Sequence, residues 1–113
     1  MPYIATTSNV SISGRKKETI KERMGKAIEL IPDKSEDWLM LSFRDNVSMY
    51  FKGEDEPCAI CQVKLFGTAD EESYANLTEA LTDILREELD IDPDRIYVAY
   101  EEINTWGWNG MNL

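Results

Sequence analysis

Histidine is absent from this chain, and with it the side chain whose ordinary pKa, about 6.5, lies closest to neutrality. Acid-base chemistry near pH 7 must then use a perturbed group: a carboxylate raised by burial, a lysine lowered by burial, a thiolate, or the terminal amine, which titrates at roughly 7.7–8.0. Cysteine is scarce, with only Cys58 and Cys61, too few to build a Cys/His metal site, so no metal is expected. Also lacking is any run near the ~18 apolar residues of a membrane span, and the first residues carry neither a basic flank nor an apolar signal region. A cytoplasmic protein with no membrane partner is expected, with export lacking a signal peptide as the alternative. Basic residues are outnumbered, 12 Lys and Arg against 22 Asp and Glu, for a formal net charge of -10. That field repels phosphate backbones and argues against nucleic acid as a partner. An anionic substrate would need a locally placed cation.

What is present fits one globular domain over residues 1–113, with 42% apolar and 30% charged residues. Residues 2 to 8 are rich in β-branched and aromatic types and free of charge, which predicts a buried strand at the amino terminus. Ile20, Met24, Ala27, Ile28 and Ile31 fall at helical spacing, predicting a helix over about 14–31 that ends at Pro32. Its first turn is basic (Arg15, Lys16, Lys17), against the helix dipole. Trp38 to Phe43 form a near-continuous apolar run, read as a strand covered on both faces. Met49 to Phe51 read as a short edge strand or hairpin arm, and Cys58 to Phe66 alternate as a third long strand. Tyr74, Leu77, Leu81, Ile84 and Leu85 share one face of a helix over about 70–88, and Ile96 to Tyr100 make a fourth strand.

Strand, helix, strand, repeated, predicts an α+β fold of two β-α-β units, a four-stranded mixed sheet with both helices on one face. The other face would need cover, because Trp38, Met40 and Phe43 exceed what two helices can bury. The Cys58–Cys61 spacing invites a redox reading. In a strand, however, residues three apart point to opposite faces, so buried structural thiols are expected.

Four motifs in order carry a resemblance. Met1-Pro2 opens the first strand, Pro57-Cys58-Ala59-Ile60-Cys61 begins the third, Pro93-Asp94-Arg95-Ile96-Tyr97 enters the fourth, and Gly107-Trp108-Asn109 lies near the end. With these the chain resembles the macrophage migration inhibitory factor family of the tautomerase superfamily over essentially its whole length. The resemblance implies a homotrimeric barrel with a site at each subunit interface, which would supply the missing cover. It also implies a cofactor-free reaction with the amino-terminal Pro2, exposed by loss of Met1, as general base. Lys34 matches the family's substrate-binding lysine, and Tyr97 the tyrosine that crosses the interface. Phe66 stands where an aliphatic residue usually offers its backbone amide to the substrate carboxylate, and Trp38 and Trp106 match the pocket rim. Where mammalian members carry Asn two residues beyond the tyrosine, this chain has Ala99.

Each assignment has a plainer counterpart. Pro2 could simply begin a strand, where its missing N–H costs nothing. Lys34 could be a solvated loop lysine and Tyr97 a core aromatic. Taken together the residues imply keto-enol tautomerisation of small aromatic 2-keto acids such as phenylpyruvate. The alternative is a cytokine-like protein that binds a host receptor, with turnover incidental.

Overall fold

Seven uncharged residues at the amino terminus do form a strand. In the computed structural model, which describes residues 1–113, this is β1 (Pro2–Ser8), alternating buried and half-buried along its length. There follow α1 (Gly14–Ala27), β2 (Met40–Arg44), β3 (Ala59–Phe66), α2 (Glu71–Leu89) and β4 (Ile96–Ile103), then the short strands β5 (Gly107–Trp108) and β6 (Met111–Asn112). β1 pairs parallel with β2 and antiparallel with β3, and β3 pairs parallel with β4. The order β2-β1-β3-β4 places the amino-terminal strand inside the four-stranded sheet. Two β-α-β units and a mixed sheet are therefore present, as the element order predicts.

One sheet face packs on the helices. Ile4, Leu41, Phe43, Cys61, Val63, Leu65 and Ile96 join Ile20, Met24, Leu77, Leu81 and Leu85 in a single core. Asp70 caps α2 by accepting from the Ser73 N–H at 2.7 Å, with Glu71 and Glu72 in the first turn where the helix dipole favours acids. Ser13 caps α1 in the same way through Lys16. The basic first turn of α1, unfavourable to its own dipole, is explained by its neighbours: Lys16 pairs with Glu88 at 3.2 Å and Lys17 with Asp45 at 3.4 Å.

Three expectations need adjusting. Regular α1 stops at Ala27, and the chain tightens into a 3-10 turn over Ile28–Leu30, where the Ile31 N–H closes on the Ile28 carbonyl at 3.0 Å. Trp38 belongs to a 3-10 turn (Glu36–Trp38), so the strand begins only at Met40. Nor is β2 covered on both faces. Leu41 and Phe43 turn inward, whereas Met40 is 68% exposed on the outer face. The run is apolar at consecutive positions because its members serve different surfaces. Around residue 51 there is a two-residue turn, with Phe51 and Glu54 bonded reciprocally across Lys52 and Gly53, both at positive φ.

The start of β3 is tied to the end of β1 by a buried hydroxyl. Ser8 Oγ donates to the Cys58 carbonyl at 2.7 Å and accepts from the Val10 N–H at 3.0 Å. Ser8→Ala strands both partners, and urea denaturation should show a loss of about 1–3 kcal/mol. An unchanged midpoint would mean that water replaces the hydroxyl there.

Candidate active site

Register decides what meets the amino terminus. Pro2 lies opposite Leu65 in the antiparallel β1–β3 ladder, so Met1 falls opposite Phe66. The Phe66 N–H donates to the Met1 carbonyl at 3.1 Å. The Phe66 carbonyl accepts from Lys34 Nζ at 3.0 Å. Lys34 reaches it from the loop after α1, where Asp33 takes a left-handed conformation (φ 68) and the Lys34 N–H closes a turn on the Ile31 carbonyl. This lysine is therefore half-buried and held, not free in solvent. With Met1 in place, burial first and then the adjacent Lys34 ammonium bring the terminal amine from 8.0 down to about 6. Pro2 itself is buried.

Beside these groups opens a cleft of about 470 Å³, lined by Met1, Pro2, Tyr3, Asp37, Trp38, Leu39, Met40, Trp106, Gly107 and Trp108. Trp38, 49% exposed, meets Trp108 edge-on with ring centroids 5.2 Å apart. Trp106 tilts against Phe66 at 6.5 Å. Trp38 and Trp106, expected at a rim, do line one concavity with Pro2. Trp108 was not foreseen there. Its signal was the Asn109-Gly110 pair, both residues at positive φ, which folds β5 and β6 into a two-residue hairpin and swings the indole over the cleft.

Tyr97 is not brought to this cleft. It sits on β4 opposite Ile60, while Pro2 sits opposite Leu65 at the other end of β3. Five strand positions separate those partners, on the order of 17 Å. Nor is Tyr97 a core aromatic: it is 59% exposed on the outer sheet face, with Ala99 exposed beside it.

The thiols offer no competing chemistry. Both are free and buried, and Cys61, beside Thr6 Oγ1 at 3.5 Å, is pushed up to about 11 by burial. A second concavity of about 560 Å³ lies among Lys52, Glu54, Glu56, Asp90, Asp92, Asp94 and Arg95. It has no apolar wall, and its guanidinium is already engaged by four backbone carbonyls. The cleft at Pro2 has an aromatic wall and takes in Met1, whose amine is of lowered basicity and has Lys34 beside it, the usual features of a small-molecule site.

A mixed sheet of two β-α-β units, with an aromatic cleft at its central amino-terminal strand, defines an α+β protein. The sequence model of the family described as macrophage migration inhibitory factor (MIF) matches residues 1–113, and the chain belongs to that family. The mouse macrophage migration inhibitory factor is 36% identical over 67 residues, a match covering 58% of each chain. D-dopachrome decarboxylase of mouse is 28% identical over 111 residues, covering 94% of this chain and 90% of the relative. Among solved structures, Leishmania major MIF2 superposes with a TM-score of 0.94 at 28% identity, covering 100% of this chain and 97% of that one. The Prochlorococcus marinus homologue gives 0.88 at 29%, covering 97% of each.

Two measurements test this geometry. In Lys34→Ala the cation that disfavours a protonated neighbour is gone, so NMR titration should place the terminal amine above its value in the parent; burial remains, so the rise is partial. A fall, or no change, would show that Lys34 does not sense the amine. An aromatic disulfide reagent at pH 8 should leave Cys58 and Cys61 untouched in folded protein and modify both in denaturant; rapid labelling of native protein would contradict their burial.

Proposed function

We propose that this chain, once Met1 is removed, is a cofactor-free keto-enol tautomerase acting on small aromatic 2-keto acids such as phenylpyruvate. The observation that carries the reading is the double use of Phe66. Its carbonyl fixes the Lys34 ammonium, and its N–H holds an oxygen, that of Met1, directly beside the Pro2 nitrogen. Loss of Met1 frees that N–H, which would otherwise be left without a partner. It also turns the Pro2 amide nitrogen into a secondary amine. A substrate carboxylate oxygen then takes the place of the Met1 carbonyl, between a backbone donor and a cation.

From that anchor the aromatic ring extends along the indoles of Trp38, Trp106 and Trp108. The carbon next to the 2-keto group faces Pro2. Its nitrogen accepts the proton from that carbon, and the electron pair moves to the carbonyl oxygen to give the enolate. The proton then returns to oxygen, or to carbon in the reverse direction, so the reaction balances without another reagent. Burial and Lys34 lower the Met1 amine, and the same two causes would act in the same direction on a Pro2 amine exposed beside it. A homotrimer is part of the reading. Tyr97 is far from Pro2 within the chain, so it serves the site from a neighbouring subunit, and the outer face with Met40 and Tyr97 is covered in the process. The relation to D-dopachrome decarboxylase supports small-molecule chemistry. The relation to proteins named macrophage migration inhibitory factor keeps receptor binding as the rival.

The deciding comparison uses two preparations, with Met1 removed and with Met1 retained, each verified by intact mass. The processed protein should tautomerise phenylpyruvate, and the retained form should be slower by about a hundredfold or more, the scale of a lost general base. Equal turnover would make Pro2 only the first residue of a strand and leave receptor binding in front.

A further inference from the structure

Tyr97 stands on an exposed sheet face, where a tyrosine is ordinarily free to change rotamer. Here its ring meets Phe51 edge-on, with centroids 5.0 Å apart and planes at 87°. Phe51 is itself held. Its N–H donates to the Glu54 carbonyl at 2.9 Å, and the Glu54 N–H donates back at 3.1 Å, across a turn whose two central residues, Lys52 and Gly53, have φ of 55 and 76. This closes the tight turn that aims the Phe51 ring at β4.

Arg95 locks the assembly. It lies just before β4, two residues ahead of Tyr97, and its guanidinium reaches into the segment 51–57. Nε donates to the Pro57 carbonyl at 2.9 Å, Nη1 to that of Phe51 at 3.2 Å, and Nη2 to those of Glu54 and Glu56 at 3.3 and 3.0 Å. Its Cζ also stands 5.2 Å from the centroid of the Phe51 ring. An arginine with its donors committed to four carbonyls, in an acidic surround rich in unpaired carboxylates, is a geometric device more than an ion-pair partner.

The geometry points to Phe51 and Arg95 as positioning residues for Tyr97: the clamped turn presents Phe51 as a wall that selects one orientation of the tyrosine ring, and so fixes where its hydroxyl stands in the site it serves. This rests on the tautomerase reading, in which Tyr97 orients substrate at a neighbouring subunit. Neither Phe51 nor Arg95 touches the substrate. The device shifts the ordering of an exposed aromatic from the substrate-bound state to the free protein, so its loss should weaken binding more than it slows chemistry.

The test uses the processed protein with phenylpyruvate. Phe51→Leu, which keeps an apolar residue and removes the ring, should raise KM about two- to tenfold, the range for freezing one side chain, with kcat little changed. Phe51→Tyr, which restores a ring, should recover the parent KM. In a Tyr97→Phe background there is no hydroxyl to place, so the effect of Phe51→Leu should shrink toward one. Light scattering and thermal melts on each variant separate this from failed assembly. A second reading needs no turnover: NMR of tyrosine-labelled protein should show a Tyr97 ring shift that Phe51→Leu removes and Phe51→Tyr keeps. An unmoved Tyr97 spectrum, or equal KM effects in both backgrounds, overturns the positioning role while leaving the tautomerase reading intact. Processed wild-type protein without Pro2-dependent turnover overturns both.

Discussion

Everything at the candidate site depends on the antiparallel pairing of β1 with β3. This ladder runs from Pro2 opposite Leu65 to Ser8 opposite Ala59, and it puts the amino terminus inside the sheet instead of at a frayed edge. Chain ends are ordinarily among the least ordered parts of a domain. Here the terminus is bonded on one side to β2 and on the other to β3, and the core beneath it includes the fully buried Ile4. The position of the first nitrogen is thus set by the same contacts that stabilise the domain. Catalytic groups are best placed on such rigid elements.

Electrostatics are arranged locally against a hostile background. The chain as a whole is strongly acidic, yet one cation stands close to the Met1 amine and a backbone donor holds the Met1 carbonyl. Most of the other ion pairs belong to the outside of the helices, where Arg23 and Lys16 bind Glu87 and Glu88, and such exposed pairs contribute little to stability. Lys34 is different because it bonds a carbonyl and no carboxylate, which leaves its charge uncompensated by the chain. An anion that reaches Met1 meets a formal positive charge already oriented.

How much of this was legible beforehand follows from the range of the interactions involved. The four long strands and both helices are encoded within short windows, as alternation in 59–66 or as the Leu77, Leu81, Leu85 spacing, and those windows fold as they read. Trp38 was misread because a continuous apolar run does not say whether its residues share one strand. The convergence of Met1, Lys34 and Phe66 is invisible locally, since it depends on a register between segments more than sixty positions apart and on a left-handed turn at Asp33. Motif resemblance supplied the candidates; only the folded chain shows that Met1 and Lys34 share the amide and carbonyl of Phe66, and that Tyr97 stands at the far end of the sheet.

The central place of β1 also has a cost in time. Its antiparallel partner β3 is the stretch from residue 59 to 66, so during synthesis β1 can meet β2 first but lacks its second neighbour until more than half the chain is made. At about 5–20 residues per second that delay is on the order of several seconds. For that interval the segment Pro2–Ser8 is an uncharged, β-prone strand with one edge of N–H and C=O groups unpaired. Once the sheet closes, Pro2 is buried and Met1 is pinned to Phe66. The central strand of the sheet therefore stays open on one side for longer than it would if β1 and β3 were neighbours in sequence.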